Sequence, residues 1–243
     1  MSLQKNQSNT QPQMGTHAIR LAPEQVMPGE TALAGTPSTP MVNAFEIIRS
    51  NPIARRFEIG DMVFAQFDCP GNEHPIGIWT PTDHLIHVLT AKASWKSSAG
   101  SWSAVAGQTM FFKKGVYILP QHVEEDLCVQ LFFIPDGFVR ETIMELATDL
   151  PVMSHPVDGR ELAIRVNRDI GLSAFFHAMD VYFAGNEDPP EALLKLKLKE
   201  LLTSILVGQS NQALSAYLRS VAMCDSPSVA SIMEMNFCHN LSM

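Results

Sequence analysis

The sequence predicts an α+β fold in which an antiparallel β-barrel or sandwich comes first and a helical region follows. Two observations predict it. Short apolar runs, separated by turn residues, recur about every ten residues between Phe45 and Pro135, a spacing that is typical of antiparallel sheets. After Pro135 the apolar period changes from about two to about 3.6 residues, which indicates helices.

Nine short strands are predicted in the first block because turn residues such as Gly60-Asp61 and Lys114-Gly115 separate the apolar runs. The predicted strands cover residues 56–58, 62–68, 76–80, 85–91, 94–97, 102–105, 109–112, 116–119 and 128–134. The basic pairs Arg55-Arg56 and Lys113-Lys114 are predicted to be solvated turn or edge residues, with a site for an acidic ligand as the alternative.

Five helices are predicted after Pro135. Apolar stripes with helical spacing cover 139–150, 172–183, 189–207 and 214–221, and Ser226-Pro227 opens the fifth. The third helix has the clearest start, since Asp188 can cap it and Pro189 suits the first helical position. It is apolar over much of its circumference, which indicates that it buries more than one side.

Composition excludes several classes of function. The charge of −8 argues against a broad basic face that grips nucleic acid. No apolar run reaches the about 20 residues that a membrane helix needs, and the polar N-terminus does not resemble a secretion signal. Four scattered cysteines predict neither a disulfide framework nor a zinc ribbon. We therefore expect a reduced, cytoplasmic protein without membrane contact, with residues 1–42 as a disordered or loosely docked tail.

His84 and His87 form an HxxH pair at the start of the predicted strand 85–91, with His84 directly before it. Two intervening residues place the rings on opposite faces of a strand, so this spacing does not suit a metal site unless a bulge intervenes. The simpler interpretation is one inward and one surface histidine. No metal and no cofactor are predicted.

Aromatic side chains in the β block provide candidates for a ligand pocket, although the same residues also fill barrel cores. The candidates are Trp79, His84, His87, Trp95, Trp102 and His122. No catalytic residue is predicted, because the chain has no nucleophile context, P-loop or dinucleotide fingerprint.

Two C-terminal segments resemble AraC-type bacterial transcription regulators. Residues 193–206 read LLKLKLKELLTSIL, and residues 228–243 read SVASIMEMNFCHNLSM. In that family a cupin-like barrel precedes a helical dimer region and then a DNA-binding half with two helix-turn-helix units. Residues 107–117, GQTMFFKKGVY, resemble a segment of that barrel. The overall shape is nearest to regulators of type III secretion, some of which are controlled by a partner protein.

The resemblance implies an organisation in four parts. These are the tail 1–42, a cupin-like regulatory domain 43–135, a helical dimerisation region 136–225, and the start of a helix-turn-helix domain, 226–243, that is truncated at Met243. DNA would be bound only through the missing C-terminal domain. The implied function is to sense a small-molecule effector or a partner protein as a homodimer. A metal-dependent cupin enzyme and a stand-alone ligand-binding cupin are the alternatives.

The apolar face of the third helix, together with the resemblance, predicts a contact between two copies of the chain. The residues predicted to lie at this dimer contact are Leu194, Leu198, Leu201, Leu202 and Ile205.

Overall fold

The computed structural model describes residues 40–52, 54–69, 74–120, 127–152 and 161–223, and every structural statement below concerns these ranges. Three predictions lie outside them: the tail up to residue 39, the candidate His122, and the helix-turn-helix start at 226–243.

The described residues form eleven strands and five helices. The strands are β1 (Met41–Asn43), β2 (Arg55–Ile59), β3 (Met62–Cys69), β4 (Ile76–Thr80), β5 (Asp83–Val88), β6 (Lys92–Ser97), β7 (Gly100–Val105), β8 (Thr109–Phe112), β9 (Gly115–Leu119), β10 (Leu127–Ile134) and β11 (Ala163–Val166). The helices are α1 (Ala44–Ser50), α2 (Asp136–Glu145), α3 (Ile170–Ala184), α4 (Glu191–Val207) and α5 (Gln212–Met223).

The strands form two sheets rather than a closed barrel. One has five strands in the order β1-β4-β9-β6-β7, and the other has six in the order β11-β8-β5-β10-β3-β2. All strand pairs are antiparallel except β1 with β4. The α+β prediction is confirmed, and of the two predicted architectures the sandwich is the one observed.

Two apolar cores lie on opposite faces of the six-stranded sheet. The inter-sheet core is formed by buried residues of both sheets, among them Val63, Ile86, Trp95, Phe112, Tyr117 and Phe133. The helical core joins the outer face of the six-stranded sheet to α2–α5 and includes Leu85, Phe132, Phe175, Phe176 and the buried leucines of α4. Because β5 is covered on both faces, all six of its residues are buried.

Four of the predicted helices are present as α2–α5, but the start of α4 differs from the prediction. The residue at the N-cap is Pro190, and no side chain caps the helix. Asp188 instead forms an ion pair with Arg55 at 2.8 Å. None of the described helices has the length and apolar character needed to cross a bilayer.

Sequence reasoning missed β1, α1 and β11. Asn43 caps α1 by accepting a hydrogen bond from the backbone N–H of Glu46 at 3.3 Å, and Phe45 and Ile48 enter the inter-sheet core. A helix of seven residues is too short to show a convincing period. Since β1 pairs with β4 from Met41 onwards, the predicted tail boundary at residue 42 is also wrong.

Candidate functional site

The two histidines of β5 lie on opposite faces of the strand. The His84 ring stacks on Phe112 at 5.5 Å and on Phe133 at 5.3 Å in the inter-sheet core. The His87 ring stacks on Phe176 of α3 at 4.1 Å. The expectation that one of them is a surface residue is wrong: His84 is 6% and His87 5% exposed, because α3 covers the outer face of the sheet.

Burial determines the protonation state of both rings. Loss of hydration lowers the pKa of His84 to about 4 and that of His87 to about 4. Both imidazoles are therefore neutral at pH 7. His87 Nδ1 lies 2.9 Å from Thr109 Oγ1, where one of the two groups donates a hydrogen bond to the other.

The other candidate pocket residues do not gather in one place. Trp95 is buried against Phe112, with ring centres 4.8 Å apart, and half-buried Trp102 lies opposite it on β7. Trp79 is 42% exposed and lies on the outer face of the five-stranded sheet. His84, Trp95 and Trp102 thus belong to the inter-sheet core, where aromatic rings occupy the space between the sheets.

The five residues predicted at the dimer contact all lie inside the chain. Leu194, Leu198, Leu201, Leu202 and Ile205 are at most 2% exposed and belong to the helical core. This placement corrects their assignment to the dimer contact, because side chains that are already buried in their own chain have no exposed surface that a second copy could contact. The same helix exposes Leu193 and Leu196 on its opposite side.

A polar row crosses the six-stranded sheet under α3. The strand registers align Thr109, His87, Gln130 and Gln66 on neighbouring strands. Gln130 is fully buried and donates a hydrogen bond from Nε2 to Asp180 of α3 at 2.8 Å. The row attaches α3 to one position on the sheet. A glutamine within the apolar run of β10 was the only sequence signal for it.

A charged cluster lies at the start of β5. Asp83 is 1% exposed and accepts hydrogen bonds from the backbone N–H of Lys114 at 2.7 Å and from the Tyr217 hydroxyl at 2.9 Å. The Lys114 ammonium reaches Asp136 of α2 at 2.5 Å. Lys113 is 5% exposed and lies over the Tyr217 ring at 4.6 Å, so the prediction of a solvated lysine pair is wrong.

An open depression of about 550 Å³ borders β2 and is lined by Pro52, Ala54, Arg55, Arg56 and Glu58. Its two arginines are paired with carboxylates, Arg56 with Glu58 at 2.8 Å and Arg55 with Asp188. Among the described residues no group of three or more His, Cys, Asp or Glu could hold a metal ion.

Helix α3 presents an apolar stripe on the side away from the sheet. Five of the six exposed positions of this helix recur at alternating intervals of four and three residues, the spacing of a helix-packing seam. These five are the apolar residues Ile170, Ala174, Val181 and Ala184 together with His177, and the sixth exposed position is Asp180, next to Val181. Ile170 is 90% and Val181 58% exposed, so the residues that the structure describes leave the stripe uncovered.

The model of one protein family, the ExsA N-terminal regulatory domain, matches residues 83–217. Among solved structures, an apo variant of ToxT from Vibrio cholerae strain SCE256 is 12% identical, with a TM-score of 0.48 and coverage of 74% of this chain and 71% of that chain. The AraC-like transcriptional activator CuxR is 13% identical, with a TM-score of 0.40 and coverage of 76% and 70%.

A cupin-2 domain protein from Shewanella frigidimarina is 19% identical, with a TM-score of 0.28 and coverage of 37% of this chain and 87% of that chain. All three TM-scores are below 0.5, so the family is assigned from the match to residues 83–217 alone. No curated protein sequence is significantly similar to this chain.

Proposed function

We infer the function from one premise: the chain belongs to the ExsA N-terminal regulatory domain family and is a regulatory domain of an AraC-family transcription regulator, since the match covers more than half of its residues. From this premise we propose that it works as a homodimer in the bacterial cytoplasm. It receives a signal and thereby controls DNA binding by a helix-turn-helix half joined to its C-terminus. We assign the sensing part to 43–135 and the dimerisation part to 136–225, and we assign no enzymatic step to either.

The exposed stripe of α3 is the observation that carries the dimer. Its apolar side chains would remain in water in a single chain, and an isologous contact between two copies would remove them from it. The uncovered side of α4, with Leu193 and Leu196, adds further apolar surface in the same helical layer. The proposed contact therefore uses outward-facing residues of α3 and α4 instead of the buried leucines.

We expect Val181→Glu to give a folded monomer. Val181 is 58% exposed in the single chain, so a glutamate there is hydrated and costs the fold little. In the dimer the same carboxylate would be desolvated twice, once from each copy, at a cost of several kcal/mol. Sedimentation or light scattering measures the mass, and far-UV circular dichroism checks the fold.

Met144→Glu is the matched control, because Met144 is 72% exposed on α2 and lies outside the stripe. This variant should remain dimeric. If Val181→Glu also remains dimeric at micromolar concentration, the two copies meet through another surface. A wild-type chain that is monomeric under these conditions would contradict the proposed dimer itself.

We propose a partner protein as the source of the signal. The packing between the sheets supports this choice, since His84, Trp95, Phe112 and Phe133 occupy the volume in which a small ligand would be enclosed. A partner that binds the surface can favour one of two dimer arrangements without entering the core, provided that it binds them with different affinity.

Fusing this chain to an AraC-type DNA-binding half tests the function directly. The fusion should bind a pair of half-sites more tightly than the DNA-binding half alone, because a dimer presents two halves at once. The Val181→Glu fusion should lose most of that gain. Equal binding by all three proteins would contradict a dimerising regulatory role. A small molecule that alone restores or abolishes binding would replace the partner protein as the signal.

A further inference from the structure

The carboxylate of Asp83 connects elements that are far apart in the sequence. It begins β5, while Tyr217, which donates its hydroxyl hydrogen to it, lies on α5, 134 residues later. Both carboxylate oxygens lie within hydrogen-bond distance of that hydroxyl, at 3.1 and 2.9 Å. The backbone N–H of Lys114 completes the set at 2.7 Å.

Burial of the Asp83 carboxylate in its ionised form costs free energy. A buried ionised carboxylate is stable only when hydrogen bonds and nearby positive charge replace water. Loss of hydration is the largest influence on Asp83 and raises its pKa to about 6, while Lys114 and the Tyr217 hydroxyl partly offset it. Burial and the Asp83 charge also raise the pKa of Tyr217, so this phenol remains a hydrogen donor near neutrality.

Helix α5 is the last described element, and its attachment to the β layer is narrow. It packs mainly on α2 and α4, more lightly on β11, and through the Tyr217 ring on Phe111 of β8, with ring centres 5.7 Å apart. The Tyr217 hydroxyl is its hydrogen bond to β5. Any segment that follows residue 223 is therefore connected to the sheets through α5, and the buried carboxylate of Asp83 helps to keep α5 attached to them.

We propose that the Asp83–Tyr217 hydrogen bond is a latch between the sheet and α5, and that the charge on Asp83 sets how readily α5 detaches. This inference does not depend on the dimer or on the nature of the signal. It assigns a regulatory contact to two residues for which the family match gives no role.

The groups that face Asp83 come from four elements. Tyr217 approaches from α5, Lys114 from the turn between β8 and β9, Asp136 from α2, and Tyr117 from β9, while Lys113 lies over the Tyr217 ring. Asp136 acts against the Asp83 charge but is itself paired with Lys114. When α5 detaches, Asp83 regains water, so its ionised form favours the detached state.

The sign of the pH effect follows from this linkage. With the pKa of Asp83 at about 6 in the attached state and near its ordinary value in the detached state, raising the pH from 5 to 7.5 should increase detachment of α5 about tenfold. The buried histidines act oppositely on the whole fold, because acid protonates them in the unfolded chain. Local detachment and global unfolding should therefore respond to pH with opposite signs.

Amide hydrogen exchange of the full chain, read by mass spectrometry at pH 5 and pH 7.5, tests the latch. Rates are expressed as protection factors, which removes the pH dependence of exchange itself. We expect protection of α5, Gln212–Met223, to fall about tenfold between these values, while protection of β10, Leu127–Ile134, rises. If the protection factors of α5 change with pH in the same direction and by the same amount as those of β10, α5 opens only with the whole fold and the proposal is wrong.

Two variants separate the charge from the hydrogen bond. Asp83→Asn keeps the size of the side chain and should abolish the pH dependence of α5 protection. Tyr217→Phe should lower α5 protection at pH 5 about fivefold, as expected for the loss of one hydrogen bond. Tyr182→Phe makes the same change on α3, from which no described hydrogen bond reaches Asp83, and should leave α5 unchanged. A pH response that survives Asp83→Asn, or a Tyr217→Phe variant with wild-type protection, would overturn the latch.

Discussion

Leu198→Glu should unfold the chain rather than split a dimer. Leu198 is completely buried in the helical core, on the side of α4 that faces the other helices. A glutamate there loses its hydration and has an apolar surrounding, which costs several kcal/mol, while a domain of this kind is stable by only about 5–15 kcal/mol. Circular dichroism and urea titration should show an unfolded or strongly destabilised chain.

Leu196→Glu is the matched control, two residues away on the same helix. Leu196 is 59% exposed, so the new carboxylate remains hydrated in the single chain and the fold should persist. Because Leu196 belongs to the proposed dimer contact, this variant should lose association and not folding. A Leu198→Glu variant as stable as Leu196→Glu would mean that α4 does not pack with its leucines inward. Both variants together decide between a structural and an interfacial role for the leucine face.

Acid should destabilise the fold before its surface carboxylates titrate. The pKa of His84 and of His87 is lowered to about 4 in the folded chain. Below pH 6.5 these two histidines therefore bind protons in the unfolded chain but not in the folded chain, which favours unfolding. Each histidine removes on the order of 3 kcal/mol between pH 6.5 and pH 4. Asp83 has the opposite sign: its raised pKa lets the folded chain bind a proton below about pH 6, which stabilises it.

Two substitutions should separate these contributions in urea titrations at pH 5.0, 5.5 and 6.0. In this pH range the unfolded wild-type chain binds about one proton more than the folded chain. The free energy of unfolding therefore falls by roughly 1.4 kcal/mol for each unit by which the pH is lowered. His84→Phe, which places a similar ring between Phe112 and Phe133, should make this slope nearly flat. Asp83→Asn should make it about twice as steep. Equal slopes in all three proteins would show that neither buried group titrates as described.

Local sequence signals were sufficient where turns bound both ends of an element. The limits of β4, Ile76–Thr80, and of β8, Thr109–Phe112, agree with the prediction, because Pro75 and Pro81 bound the first run and turns with glycine and lysine bound the second. The start of β5 differs, since the predicted strand began at Leu85, after the polar residues Asp83 and His84. The register of the sheet buries them, and register is not visible in one strand alone.

The candidate site depends on contacts between elements that are far apart in the sequence, and no local pattern predicts such contacts. The spacing of His84 and His87 predicted opposite faces, but only the position of α3 shows that the outward ring is buried against Phe176. The leucines of α4 indicated burial on more than one side, yet the pattern could not distinguish packing on α2, α3 and α5 from packing on a second copy. The bond between Asp83 and Tyr217 had no sequence signal, because it is set by how α5 docks.

The central place of β10 in the six-stranded sheet also constrains the order in which the chain can be assembled. β10 joins the hairpin of β2 and β3 to the pair of β5 and β8, and its partners on β3 precede it by about 60 residues. During synthesis those two pairs leave the ribosome without the strand that unites them, and their aromatic faces stay unpaired until residue 134 has emerged. Such long-range pairing makes folding slow, in the range of milliseconds to seconds. The helices follow β10 in the chain and therefore meet a sheet that can already be complete.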